Sequence, residues 1–181
     1  MRQLLRSGLG SSRLVVSDPS GHDYPEFPLV NHREFMYMMR THRTRGDFQL
    51  RIVPQGPEHF IRISEYVLAA ENLHYVIEEA RLFKEAAQYE MTLVMLARMG
   101  GHYGQDLTYI AQRVQDVPPD VRSQMDEIYF FNMDEENDIT IARNYLHELA
   151  DAELPYLPKL HYFKKVRGQR DVERGVVSFA N

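Results

Sequence analysis

Five short apolar runs, each followed by a segment of helical spacing, constrain this chain more than any other feature. The runs lie at 14–16, 48–53, 73–77, 107–111 and 128–131 and are rich in β-branched and aromatic residues. Between them the period changes. His32–Thr41 places Phe35, Met38 and Met39 on one helical face, and 58–70 does the same with Phe60, Ile63, Val67 and Leu68. A longer helical stretch from Lys84 to Met99 stops at Gly100-Gly101, and Pro118-Pro119 opens a short turn through Gln124. Asp138 is the expected N-cap of a helix running through Ala150. Strand, crossover helix and strand in repetition predict an α/β fold, a mainly parallel central sheet flanked by helices. The tail, 161–166 and 176–179 around Gly168, predicts a C-terminal β-hairpin or arm.

Composition narrows the class. With 44% hydrophobic and 26% charged residues, 181 residues bury a sizeable core and form one domain with a short appendage. No apolar run approaches the roughly 20 residues that span a bilayer, and the N-terminus does not read as a secretory signal, so a cytoplasmic location is expected. The net charge of −5 argues against a protein that coats nucleic acid by bulk electrostatics. Two local basic clusters stand out against it: Arg33, Arg40, Arg43 and Arg45, then Lys164, Lys165, Arg167 and Arg170. A solvated surface is the plain reading of both.

Ligands of open α/β sheets bind beyond the carboxyl ends of the strands, which singles out Asp18, the pair Glu78-Glu79, and Gln112 with Arg113. Adjacent carboxylates after an apolar strand repel unless a cation or proton is shared. Triphosphate hydrolysis uses such a pair, one carboxylate holding Mg²⁺ and the next orienting the attacking water. Two solvated acids at a helix N-terminus is the alternative. Gln112 has the amide that positions a water or contacts a terminal phosphate, while Arg98, Arg113 and Arg122 are candidates for an arginine finger offered to a neighbouring subunit. His22-Asp23 sits in a turn, where a turn-stabilising Asp23 is the expected reading and a ligand pair the alternative. Against nucleotide chemistry stands one absence. A phosphate loop reads G-x-x-x-x-G-K-[ST], but the four lysines are 84, 159, 164 and 165 and none follows a glycine. The glycine-rich Gly8–Arg13 segment precedes a strand where a phosphate loop follows one.

In this order the pieces resemble the FtsK/HerA class of P-loop ATPases, particularly the small phage-type members of DNA packaging and transfer. The resemblance covers roughly residues 1–150: LVVSDPSGHDYPEF at 14–27 looks like the family's strand and Asp-Pro-x-Gly-Glu-Tyr segment, joined by FQLRIVP at 48–54, NLHYVIEEARLF at 72–83 and the run from 95 to 131. It implies a RecA-like core over 1–155 with an arm over 156–181, and a homo-oligomer or ring that binds ATP and Mg²⁺ between subunits and moves DNA. By the same match Glu78 and Glu79 are the Walker B acids, with Glu78 on Mg²⁺ and Glu79 catalytic. Asp18 joins Glu78 in cofactor binding, Gln112 is the sensor, and Arg98 and Arg122 fall near family arginines. Walker B normally carries Asp then Glu, so Glu78 departs from the pattern. MRQLLRSG at 1–8 looks like the back half of the helix after a phosphate loop. The expectation is therefore either a start placed downstream of the lysine or a degenerate member. Two rivals stay beside it: a non-catalytic assembly subunit keeping the fold, and an unrelated flavodoxin-like binding domain.

Overall fold

The structure is a computed structural model that describes residues 12–84 and 88–177. The segment 1–8, most of the glycine-rich turn and the end of the tail at Phe179 lie outside the described residues. The chain divides into two compact units, with the boundary between Ala111 and Gln112.

The first unit holds β1 (Arg13–Ser17), α1 (His32–Thr41), β2 (Phe48–Ile52), α2 (Pro57–Leu68), β3 (His74–Glu78), α3 (Tyr89–Met99) and β4 (Asp106–Ile110). Its four strands run in the order β2-β1-β3-β4 and every pair is parallel, as the strand–helix alternation predicts. Leu14, Val15, Val16, Tyr75, Val76 and Ile77 are almost fully enclosed, because both faces of a parallel sheet are covered by its crossovers.

Local chemistry sets the helix starts. The Asn31 side chain accepts from Glu34 N–H at 3.0 Å while the Glu34 carboxylate accepts from Asn31 N–H at 2.9 Å, a reciprocal capping box that opens α1. Gly56, at φ 143, and Pro57 at the first helical position open α2. The helix expected from Lys84 begins instead at Tyr89, after a 3-10 turn at Ala80–Phe83. The left-handed backbone of Glu79, at φ 44 and ψ 38, turns the chain there before it can enter an α-helix.

The second unit holds α4 (Pro119–Arg122), β5 (Glu127–Phe130), α5 (Glu136–Leu146), α6 (Leu149–Ala152), β6 (His161–Val166) and β7 (Val172–Val176). β5 does not continue the parallel sheet: it pairs antiparallel with β6, and β6 with β7, in a separate three-stranded sheet. Phe130 and Phe163, directly opposite in that register, pack with Ile139, Ala142, Leu146, Ala150 and Leu154 into the unit's core. Asp138 is not an N-cap. Glu135 occupies that position, and Asp138 lies buried one turn in, accepting from Arg113 Nε at 2.9 Å and from the Gln115 N–H at 3.1 Å. The helix stops at Leu146 rather than Ala150 because His147 takes φ 53.

Candidate functional site

A carboxylate cluster forms at the carboxyl edge of the parallel sheet, built by the loop after β1 and the last residue of β3. Asp18 continues the β1–β2 ladder through its N–H, 3.0 Å from Ile52 O, and its side chain is fully enclosed. Its Oδ1 accepts from Ser20 N–H at 3.1 Å, Gly21 N–H at 3.1 Å and Ser20 Oγ at 2.6 Å. Its Oδ2 accepts from Asp23 N–H at 3.1 Å and Arg51 Nη1 at 3.3 Å. Arg51 also donates to Gly21 O at 3.0 Å, so β2 and the loop are locked together through one guanidinium. Five donors on one buried carboxylate make Asp18 the organiser of the loop, which is how a short polar turn holds a fixed shape.

That shape delivers two residues to β3. Tyr24, buried and stacked on Phe27 at 6.3 Å between ring centroids, donates its hydroxyl to Glu78 Oε1 at 3.2 Å. Asp23 brings its carboxylate alongside, so that oxygens of Asp18, Asp23 and Glu78 all lie within 4.8 Å of one another. Ser20 Oγ sits 2.6 Å from both Asp18 Oδ1 and Asp23 Oδ2. A hydroxyl carries one hydrogen, so Ser20 donates to one of the two carboxylates at a time. With the Asp18 carboxylate taken up by its five donors, Asp23 and Glu78 are the oxygen donors that could face a hard divalent ion such as Mg²⁺, and this chemistry fits the residues present.

Glu79 follows Glu78 in the left-handed conformation, a region that costs a non-glycine residue about 1–2 kcal/mol. Its N–H donates to Ile110 O at 3.1 Å, extending the β3–β4 pairing in which Glu78 faces Ile110. Gln112 follows Ile110 by two residues and is the first residue of the second unit. Within that unit Arg113 is engaged by Asp138 at 2.9 Å and Glu135 at 3.4 Å, and Arg122 Nη1 donates to Val114 O at 2.9 Å. Arg98 is exposed in the last turn of α3. That turn closes onto the start of the strands, through Gln105 N–H to Gly100 O at 2.9 Å and Asp106 N–H to Leu73 O at 3.0 Å. Arg98 therefore lies at the end of the sheet opposite Glu78. Of the residues singled out from sequence, the first unit brings together Asp18, Glu78 and, next in the chain, Glu79.

The placement of Asp23 and Tyr24 beside Glu78 was not expected from the sequence. The signal was present: in the Asp-Pro-x-Gly-Glu-Tyr likeness, Asp23-Tyr24 stands one residue late, after the extra His22. Asp23 does stabilise the turn, accepting from Ser20 Oγ at 2.6 Å, and its carboxylate also stands beside those of Asp18 and Glu78.

No protein-family profile and no curated protein matches the sequence. Solved structures do match. The genome packaging NTPase B204 from Sulfolobus turreted icosahedral virus 2, in complex with AMPPCP, superposes with a TM-score of 0.73 at 16% identity over 98% of this chain and 87% of that one. B204 described as the DNA-packaging ATPase of Sulfolobus turreted icosahedral virus gives 0.66 at 18% identity, over 94% and 84%. The bacterial conjugative coupling protein TrwB gives 0.57 at 13% identity, over 84% of this chain and 44% of TrwB. At these identities the likeness shows the fold, and the fold is the RecA-like architecture of the P-loop NTPases.

Proposed function

We propose that this chain is the core of an ATP-driven motor that moves DNA, with the Asp18–Asp23–Glu78 edge and Glu79 forming the acidic half of its nucleotide site. The observation that carries the proposal is the convergence of the Asp18, Asp23 and Glu78 carboxylates at the carboxyl end of β1 and β3. Parallel α/β sheets bind ligands at that edge. Support comes from the fold shared with packaging NTPases, one of them solved with a nucleotide analogue.

Glu78 and Asp23 would hold Mg²⁺, with Asp18 fixing the loop that presents Asp23. The ion, when bound, neutralises charge on the β- and γ-phosphates. Glu79 orients the water that attacks the terminal phosphorus. The bond from that phosphorus to the bridging oxygen breaks, and ADP and phosphate leave. Gln112 contacts the terminal phosphate, and an arginine from a neighbouring copy, Arg98 or Arg122, stabilises the transferring charge. In this scheme the protein is a homo-oligomer with nucleotide between subunits and DNA as cargo.

A second reading has its own observation: none of the four lysines follows a glycine, so these 181 residues hold no G-x-x-x-x-G-K-[ST] cradle. A non-catalytic assembly subunit with the same fold matches that absence. Phosphate release by the native protein, beside its Glu79→Gln variant, separates the two. Turnover that Glu79→Gln abolishes while nucleotide binding persists is expected of the motor. Turnover unchanged in the variant removes Glu79 from catalysis, and no turnover in either protein leaves the assembly subunit.

A further inference from the structure

α1 is amphipathic in an unusual way. Its inner face buries Phe35 and Met39, while its outer face carries Arg33, Tyr37 and Arg40 at i, i+4 and i+7. Tyr37 is 67% exposed, and both flanking arginines are exposed. Arg43 and Arg45 continue the exposed series just past the helix end.

Two observations separate this surface from an ordinary solvated face. The first is the state of the charges. Among the described residues no salt bridge holds Arg33, Arg40, Arg43 or Arg45. Arg40 instead lies over the Tyr66 ring, 5.8 Å from its centroid, and donates to the Tyr66 hydroxyl at 3.2 Å. Arg43 gives only its Nε, to Ala69 O at 2.8 Å. Glu34, the one acid between residues 33 and 45, is committed to the Asn31 cap. The second basic cluster behaves differently. Lys164 pairs with Glu127 at 2.8 Å and Glu173 at 3.7 Å, Arg167 pairs with Asp126, and Lys165 caps the carbonyls of Gln169 and Arg170. Two of the four cations in that cluster, Lys164 and Arg167, are thus paired with acids, whereas none of the four on and after α1 is.

The second observation is Tyr37 itself, an exposed ring with an arginine one turn to either side. Such an arrangement presents a flat surface for stacking between two phosphate-binding forks. Arg33 and Arg40 are about 10 Å apart along the axis at ~1.5 Å per residue, close to three stacked nucleotide steps of ~3.4 Å.

We infer that the outer face of α1 is a DNA-contacting surface, on which Arg33, Arg40, Arg43 and Arg45 hold backbone phosphates and Tyr37 stacks on an unpaired base. The inference names a surface for the cargo of the proposed motor but stands on charge and geometry alone. Its test contains no ATP, so it fails independently of the ATPase reading.

Fluorescence anisotropy of a labelled single-stranded oligonucleotide with the full chain provides the measurement. Arg33→Ser/Arg45→Ser is expected to weaken binding tenfold or more and to reduce the salt slope by about 0.7 for each phosphate no longer held. Tyr37→Ser is expected to weaken single-strand binding about tenfold while leaving duplex binding within twofold. Arg167→Ser, which removes one charge that is paired with Asp126, is expected to leave affinity within twofold. Equal losses from the α1 and Arg167 substitutions overturn the assignment of the surface, as does wild-type protein that fails to bind DNA. Binding of anionic lipid vesicles in preference to DNA overturns the choice of partner. Because all the altered side chains are exposed, unchanged thermal melting accompanies the expected result.

Discussion

Tyr24 and Glu78 are joined by a 3.2 Å hydrogen bond between two buried side chains 54 positions apart in sequence. This bond ties the β1 loop to the end of β3 and fixes one oxygen of the carboxylate assigned to Mg²⁺. Tyr24→Phe keeps the ring and its stacking on Phe27 but deletes the donor. The buried acceptor then loses a partner, at a cost of about 1–2 kcal/mol read as a lower urea midpoint. If the proposed site is correct, the Mg²⁺ concentration for half-maximal turnover also rises several-fold, because Glu78 is no longer held in place. An unchanged Mg²⁺ requirement in a destabilised variant would assign the bond to folding alone.

Glu79 gives a test in which stability and activity move in opposite directions. Its backbone sits at φ 44 and ψ 38, where Asn and Gly are far better tolerated than glutamate. Relief of that strain predicts that Glu79→Asn gains up to ~1 kcal/mol of stability by chemical denaturation, while turnover is lost. Orienting water at the nucleotide, the role proposed for Glu79, is what would retain that conformation at a half-buried residue. A variant both less stable and fully active would contradict the assignment.

Most of the first unit was legible because its elements are local and strongly periodic. α1 spans the predicted His32–Thr41, and its boundary is set by a cap whose two halves are three residues apart. The strands fall within about a residue of the apolar runs, since burial on both faces leaves little room for polar positions. What sequence did not yield was non-local. Asp23 looks like a turn residue until Tyr24 bonds to Glu78. Asp138 looks like a cap until Arg113, 25 positions earlier, claims its carboxylate. β5 resembles the other strands in composition, and only its pairing with β6 shows that it belongs to an antiparallel sheet. The left-handed Glu79 carries no compositional mark at all, because glutamate is a poor choice for that conformation.

Two histidines set the pH response of stability. Burial holds His74 below the ordinary 6.5, with Asp106 opposing, and its Nε2 lies 2.8 Å from Thr108 Oγ1. His59 is also held below 6.5, by burial first and then by His32 and Arg62. In the unfolded chain both take up protons as pH falls through 6.5, whereas the folded chain resists, so the unfolded state binds more protons and stability falls with pH. The loss sets in as pH falls through about 6.5 and deepens below it. It is separated from the carboxylates Glu127, held below 4.5 chiefly by Lys164, and Asp151, held below 3.8 chiefly by Arg143, whose contributions disappear only in stronger acid. Urea midpoints measured over that descent in pH are expected to fall for the native sequence and to fall less for His74→Gln. Parallel curves for the two proteins would remove His74 from the effect.

Arg13 is a buried cation whose guanidinium is satisfied by main-chain oxygens. Its Nε donates to Asn72 O at 3.1 Å, Nη1 to Gly46 O at 2.8 Å, and Nη2 to His42 O at 2.6 Å and Arg43 O at 3.2 Å. The group also lies over Phe48, 4.9 Å from the ring centroid. Burial draws its pKa below the usual guanidinium range, against Asp47 and Glu71, and the carbonyls replace the water it has lost. One side chain at the start of β1 thereby closes the α1–β2 connection and the entrance to β3. Arg13→Met preserves length and apolar stem but strips donors from four carbonyls, so a loss of about 3 kcal/mol is expected, with the denaturant slope unchanged. Arg13→Lys is expected to recover less than half of that loss, because a single ammonium cannot point along the directions that the planar fork reaches. If Met and Lys cost the same, the bonds are incidental and the stem's packing is what β1 requires. If Lys recovers most of the stability, positive charge at the amino edge is the requirement, and the four-way geometry is not.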